Sequence, residues 1–436
     1  MILTREWQLA SLADLGNSFA ALKRPIFIVS YGAGHAAALA PVAANLVLAG
    51  HQVVCVGLTT APAVFARFGI ESLGVRDLIG FSRNYRFAHR LGRRLMATAD
   101  RHSQVDQLET DAYMGVGFLA LVRGRGLRDA RVAFSNRGRQ SFCPTEFFEE
   151  IFSVLAPSVV VATSAPRSER AAIEAARALG IKRVCLVDLY APFEVEWCAS
   201  NDYADMICVL SEAVRAHMQV NGVAGYKVKV TGNPSFDRLK KLDKTKLRNR
   251  FRVVRAIPEN ALVVAWISQE EPRKHPFCDL VGDPQLPAQI ENALAAYFLQ
   301  RADVWVIIRM HPSEKRERQR LGAHVIYSDI SESLDELLCG VDVVLTSGST
   351  VGIEAAMLDT PVAQYTKSIF SASLPLAAMG LAVPIDALFD LGPKVEELFS
   401  LKQSANPIVQ SLRQNVGSAA ENVAREIEII YVNSGK

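Results

Sequence analysis

The residues of this chain best suited to chemistry on an anionic substrate lie between Val343 and Pro361. There an apolar run, Val343 to Thr346, gives way to Ser347-Gly348-Ser349-Thr350 and then to a helical pattern carrying Glu354. Small hydroxyl residues at a helix start suit an anion, because the first backbone N–H groups have no intrahelical partner and carry partial positive charge. The same residues are also ordinary helix caps, so the pattern by itself supports both readings. A second set, Arg309-Met310-His311-Pro312, closes another apolar run and offers a fixed positive charge beside a titratable ring. In the first half, His35 follows Tyr31-Gly32-Ala33-Gly34, and Asp188 and Glu194 stand at or just past the end of the run Arg183–Leu189. Asp188 and Glu194 could each be a general base or a loop-ordering acid; His35 is the first choice for the base and Asp188 the second, and His35 also reads as an ordinary helix-start residue.

These side chains sit where an alternating strand and helix pattern would place them. Pro25–Ser30 reads as a buried strand, Ala36–Ala49 as a helix stopped by Gly50, and His51–Leu58 as a second strand. Such a βαβ unit predicts a doubly wound parallel sheet, whose ligands bind at the carboxyl ends of strands, where Tyr31–His35 falls. The rhythm resumes with helix Glu146–Leu155, strand Ser158–Ala162, helix Glu169–Leu179 closed by Gly180, and strands Arg183–Leu189 and Ala204–Leu210, the last followed by Ser211 as a helix cap. Thr231-Gly232-Asn233-Pro234 is a turn signal, and the charged stretch Lys240–Arg255 that follows reads as helical, with a linker region near Arg238–Pro258. A second series then opens with strand Ala261–Ile267 and the polar loop Ser268–Pro276. It continues through helix Gln289–Gln300, strand Val304–Arg309, helix Ser333–Leu338 and strands Val341–Thr346 and Pro361–Tyr365, to a helical tail over Asn406–Val432. The expectation is an α/β protein of two Rossmann-like doubly wound domains, 1–240 and 241–436, with the terminal helix packing back on the first.

Composition narrows the function classes. Of the 436 residues half are apolar and about a fifth charged, which leaves no room for extensive disorder, and a net charge of +3 does not point to nucleic acid. The seven cysteines are scattered, without a CxxC pair, and read as reduced core residues with no metal or disulfide role. No apolar run of signal-peptide or membrane-spanning type stands out, so a soluble cytoplasmic protein is expected, with an amphipathic lead-in at the amino terminus. The segment 76–139 differs from the rest: Arg83, Arg86, Arg90, Arg93, Arg94, Arg101, Arg123, Arg125, Arg128, Arg131, Arg137 and Arg139 meet few acids and no lysine. The spacing of Arg83, Arg86, Arg90 and Arg94 predicts a helix with a basic face, either simply solvated or a dock for something anionic. The anionic partner would be a glycan, a lipid-linked or protein acceptor, or the inner membrane surface touched peripherally.

Three segments together carry a family likeness: Thr231–Asp237 (TGNPSFD), Arg309–Glu314 (RMHPSE) and Ser347–Val362 (SGSTVGIEAAMLDTPV). They resemble the GT-B superfamily, in which two Rossmann-like domains face each other across a cleft that holds a nucleotide-sugar. Within it the chain looks similar to the UDP-N-acetylglucosamine 2-epimerases and to bacterial surface-polysaccharide transferases with a His-Pro motif. The resemblance implies that Gly34, Gly232, Asn233, Arg309, His311, Pro312, Ser347, Gly348, Ser349 and Thr350 surround the donor, with Glu354 on its ribose. It implies a metal-independent glycosyltransferase with no cofactor beyond a UDP- or CMP-type donor, a hydroxyl of a bacterial surface glycan, glycolipid or glycoprotein as acceptor, and His311 beside the leaving group. The alternatives are an epimerase acting on the nucleotide-sugar alone and a non-catalytic sugar-nucleotide-binding protein. The chain departs from the epimerase pattern at Gly32-Ala33-Gly34-His35, where epimerases carry Gly-Thr-Arg-Pro-Glu, and at Ser268–Pro272, where they carry a His-Arg-rich loop. The Asp/Glu-Asp/Glu-Gly base motif of the His-Pro sialyltransferases is also missing.

Overall fold

Apolar, β-branched runs buried on both faces assemble into two six-stranded parallel sheets in the computed structural model, as that composition favours. The structure describes residues 24–97, 105–200, 202–275, 278–400 and 406–434; the expected amino-terminal lead-in, Arg101 and Pro276 lie outside them. The chain divides into two compact units. Unit 1 comprises Met1–Asp237 with Gly417–Lys436, and unit 2 comprises Arg238–Val416.

Unit 1 contains β1 (Ile26–Ser30), β2 (Val53–Gly57), β3 (Val159–Thr163), β4 (Lys182–Leu186), β5 (Met206–Val209) and β6 (Val228–Val230), in the order β2-β1-β3-β4-β5-β6. Chain direction across the sheet reverses at β1, so the crevice between the carboxyl ends of β1 and β3 is the topological switch point. Helix Ala33–Leu48 covers one face, and helix Ala419–Asn433, near the carboxyl terminus, completes its core with Val423, Ala424 and Ile427. Asp237 holds that last helix by accepting the N–H groups of Gly417, Ala419 and Ala420 at 2.6, 3.1 and 2.9 Å. Ser211 precedes helix Glu212–Val220 as expected, yet its side chain makes no capping bond.

Unit 2 contains β7 (Leu262–Ile267), β8 (Val304–Arg309), β9 (Val325–Ser328), β10 (Val343–Thr346), β11 (Val362–Tyr365) and β12 (Val383–Ile385), ordered β12-β11-β10-β7-β8-β9. Its switch point lies between β7 and β10. The helix expected within Lys240–Arg255 is present as Lys244–Val254, but it is a packed element of this unit and not a linker. Phe251 is fully buried there, and Arg252 is sealed by donating to the carbonyls of Pro258, Glu259 and Ala261 and pairing with Asp342 at 2.9 Å. Its charged residues suggested a solvated connection, but these arginines have carbonyl and carboxylate partners that make burial affordable.

The arginine-rich segment forms helix Ala88–Leu95 and the 31-residue helix Gln107–Arg137, which breaks at Gly126 with φ 78° and ψ 162°. Among the described residues no helix is long and apolar enough to cross a membrane.

Candidate functional site

In unit 1 the loop after β1 brings His35 to the switch point. Its Nδ1 stands 3.1 Å from Thr163 Oγ1, at the end of β3, and 3.9 Å from Asp188 Oδ2, just past β4. Asn233, after β6, donates its side-chain N–H to the Asp188 carbonyl at 2.6 Å and accepts the Ser235 amide and hydroxyl at 3.0 and 2.8 Å. Gly232 turns the chain into this position with φ 80°, a conformation glycine adopts without steric cost. His35, Asp188, Gly232 and Asn233 are therefore gathered at one sheet edge. Gly34 lies in the first turn of helix Ala33–Leu48 with open space where a Cβ would be.

Two residues that the sequence reading left without a role complete this edge. Glu169, fully buried in the first turn of helix Ser168–Ala178, accepts the Tyr31 N–H at 2.5 Å and so ties the loop after β1 to the loop after β3. Burial pushes its carboxyl up to about 7, against the opposing influence of His35 and Arg167. Arg167 holds φ 81°, a rare conformation for a non-glycine residue, with its guanidinium 3.9 Å from the Tyr31 ring centroid. Burial also raises the Glu194 carboxyl, and the neighbouring Asp188 charge adds to the shift. Helix Ser168–Ala178 also carries Arg170, Glu174 and Arg177, so nothing in the sequence set Glu169 apart.

In unit 2, Ser347–Thr350 leaves the carboxyl end of β10 at that unit's switch point. The Ser349 amide donates to Thr346 Oγ1 at 3.0 Å, and the Ser349 hydroxyl accepts the Val351 amide at 3.3 Å, which braces the start of helix Val351–Met357 just ahead of its N-cap residue, Thr350. Gln364 of β11 fixes this loop from beneath: its amide donates to the carbonyls of Ser347 and Leu374 at 2.8 and 2.7 Å and accepts the Ala377 N–H at 2.8 Å. At Gly348 a Cβ would lie 2.4 Å from the Phe370 carbonyl oxygen, so the glycine is required by the neighbouring backbone. Glu354 is buried and accepts from Arg238, which also pairs with Asp335; burial raises its carboxyl while Arg238 opposes the shift.

Arg309, at the end of β8, directs its guanidinium into the following loop. It donates to Ser328 Oγ at 2.9 Å, to the carbonyls of Ile330 and Glu332 at 3.0 Å each, and to the Asp329 carbonyl. His311 is exposed, its ring accepting the Ser313 amide on Nδ1 at 3.2 Å, which leaves the N–H of the neutral ring on Nε2. Pro312 lies in a turn closed by the Glu314 N–H donating to the His311 carbonyl at 2.9 Å. The network beneath this turn was not visible in the sequence. Glu314 accepts the His311 N–H at 2.7 Å, the Ser268 hydroxyl at 2.9 Å and Arg316 Nε at 2.9 Å, and Arg316 in turn pairs with Glu291, which is fully buried. A glutamate on the apolar side of helix Leu286–Phe298 was its only trace in the sequence.

These arrangements offer an imidazole backed by a carboxylate in unit 1, hydroxyls and backbone N–H groups at the switch point of unit 2, and a second imidazole past the end of β8. Among the described residues no group of three or more His, Cys, Asp or Glu side chains is placed to hold a metal ion, and all seven cysteines are free.

Comparison with known proteins places the chain by fold. The profile of the family described as CDP-Glycerol:Poly(glycerophosphate) glycerophosphotransferase matches residues 226–371. No curated protein matches. Among solved structures, the S. aureus MnaA-UDP complex is 14% identical with a TM-score of 0.58, covering 94% of this chain and 98% of that one. UDP-GlcNAc 2-epimerase from Neisseria meningitidis bound to UDP-GlcNAc is 13% identical, TM-score 0.54, covering 94% and 100%. The glycotransferase of kitacinnamycin is 14% identical, TM-score 0.54, again covering 94% and 100%. Epimerases predominate among these matches. The chain thus has the GT-B fold shared by UDP-GlcNAc 2-epimerases and glycosyltransferases, across nearly its whole length.

Proposed function

We propose that the chain is a transferase for a group activated on a pyrimidine nucleoside diphosphate, moving a sugar or polyol phosphate to an acceptor hydroxyl. The observation that carries this reading is the family-profile match over residues 226–371, which contains both Arg309–Pro312 and Ser347–Thr350. CDP-glycerol in that family's description and UDP in the related structures share a pyrimidine nucleoside and a diphosphate. In this reading the Ser349–Thr350 loop and His311 bind the diphosphate. Arg309 shapes the loop beside them, since its donors are already engaged there. His35, with Nδ1 toward Thr163 and Asp188, keeps Nε2 to take the acceptor proton; Asp188 stabilises the imidazolium, and the nucleotide leaves with the bonding electrons. The acceptor is a surface glycan, glycolipid or glycoprotein.

The second reading, a 2-epimerase acting on UDP-GlcNAc without an acceptor, is favoured by the predominance of epimerases among the related structures. Against it stands the Gly32–His35 loop, which lacks the arginine of the epimerase pattern. Incubation of the protein with UDP-GlcNAc alone separates the two, because only the epimerase reading yields a new sugar product without acceptor. A thermal-shift panel of CDP-glycerol and UDP-, CDP-, CMP- and GDP-sugars identifies the donor, since a ligand of the folded state raises its apparent stability. Ser349→Ala with Thr350→Ala is expected to weaken UDP or CDP binding by about tenfold, the loss of one or two hydrogen bonds to a charged group. An unchanged Kd would sink the diphosphate assignment.

A further inference from the structure

The helix Ala88–Leu95 and the turn before it leave a basic surface that the proposed reaction does not use. Their inner side is held by backbone and small residues. A Cβ at Gly92 would lie 1.7 Å from the Asp111 carbonyl oxygen, and one at Gly115 would lie 1.8 Å from that of Ala88. This helix therefore packs backbone to backbone against Gln107–Arg137, with Ala88 and Gly92 buried at the contact. The preceding turn is pinned by Glu150, which accepts the Ser82 hydroxyl at 2.7 Å and the Arg83 amide at 2.9 Å, while Tyr85 is buried edge-on to Phe147 at 5.3 Å. None of these bonds uses an arginine side chain.

The long side chains consequently project outward. Arg83, Arg86, Arg90, Arg93 and Arg94 are all exposed, and Phe87 is 54% exposed among them. The guanidinium carbons of Arg86 and Arg90 stand 4.9 and 5.1 Å from the Phe87 ring centroid. Arg93 approaches Asp111 at 3.8 Å, whereas among the described residues no carboxylate pairs with Arg83, Arg86, Arg90 or Arg94. Fixed positive charge clustered on a base held without arginine side chains, and surrounding an exposed aromatic ring, suits a bilayer interface. There guanidinium groups meet lipid phosphates and the ring rests at headgroup depth. With a soluble polyanion the ring would still order Arg86 and Arg90, but its exposed face would stay in water; a bilayer interface also covers that face.

We propose that this surface docks unit 1 on an anionic phospholipid bilayer. The test uses the full chain with vesicles of phosphatidylcholine, with and without about one-third phosphatidylglycerol, and sedimentation as the readout. Wild type is expected to partition onto the phosphatidylglycerol vesicles alone and to be released as salt rises through roughly 0.5 M, where the Debye length shrinks to a few ångström. The variant R86Q/R90Q/R94Q is expected to lose about 100-fold in partitioning, at about fivefold per arginine. Phe87→Ser is expected to lose several-fold more. All variants should keep the wild-type melting temperature and nucleotide affinity, because these side chains are exposed and lie outside both strand-end sites. Wild-type partitioning by the triple arginine variant, or equal binding to pure phosphatidylcholine, would overturn the proposal. So would binding to soluble inorganic polyphosphate that abolishes vesicle binding while Phe87→Ser changes neither.

Discussion

Glu314 accepts the backbone N–H of His311 at 2.7 Å on one carboxylate oxygen and Arg316 Nε at 2.9 Å on the other. The position of His311 thus depends on a side chain five residues further along. Arg316 is itself held by Glu291, which is fully buried on helix Leu286–Phe298, so the His311 turn is fixed to the body of the sheet through two charged pairs in series.

Removing Arg316 should therefore be costly. Arg316→Met leaves Glu291 buried without its cation, and unfolding in urea is expected to show a loss of about 3 kcal/mol. Adding Glu291→Leu should restore part of that loss, because it removes one of the two carboxylates left without Arg316, while Glu314 keeps the His311 N–H and the Ser268 hydroxyl as donors. If the single variant is as stable as wild type, the series of pairs does not support the fold.

Glu169 gives a pH dependence of defined sign. Burial raises its carboxyl to about 7 in the folded state, above the value of about 4.3 expected when unfolded, so between these values the folded protein binds the extra proton. Its contribution to stability is fully present below about pH 4.3 and is lost as pH rises through about 7. Glu169→Gln keeps an acceptor for the Tyr31 N–H and removes the titration. The variant should gain on wild type between pH 5 and pH 8 by on the order of 2 kcal/mol, measured as the difference in urea unfolding. Glu109, also raised to about 7 by burial, remains in both proteins and cancels from the comparison.

Two glycines of the candidate sites, one in a loop and one in a helix, should respond differently to alanine. Gly348→Ala forces a Cβ against the Phe370 carbonyl at 2.4 Å and is expected to cost about 1–3 kcal/mol and to weaken nucleotide binding. Gly34→Ala meets open space within a helix and should be neutral or stabilising by up to about 1 kcal/mol. Calorimetric melting of the two variants checks both; equal shifts would contradict the packing difference.

Asp237 should act as a clamp on the last helix. Asp237→Ala removes the acceptor of the Gly417, Ala419 and Ala420 amides and is expected to cost about 1–2 kcal/mol. Hydrogen exchange in Ala419–Asn433 should accelerate before exchange in the sheet does.

The parallel sheets were legible because their strands are continuous apolar runs bounded by turn residues: Val304–Arg309 and Val343–Thr346 stand where their composition put them. Helices with strong punctuation, such as Glu169–Leu179 before Gly180, were equally clear, to within a residue or two at each end. The Gly126 break was not expected, since a glycine in a helical pattern does not announce its φ. The helix within Lys240–Arg255 was legible, but its packing was not, because burial of Arg252 depends on carbonyls that only the folded chain presents. The roles of Arg316 and Glu169 escaped for the same reason: each acts through partners 25 and 138 residues distant, and no local pattern encodes such a pairing.

The return of Ala419–Asn433 to the core of unit 1 sets a timetable for synthesis. A ribosome that has released residues up to Asp237 has made every strand of the first sheet, yet Val423, Ala424 and Ile427 are still to be translated. The apolar residues of helix Ala33–Leu48 that they cover must wait, exposed, until unit 2 has been made. Unit 2 is contiguous and can fold first on its own. An isolated first unit is therefore best made as a circular permutant, with the terminal helix moved ahead of β1 through a short linker, and not as a truncation at Asp237.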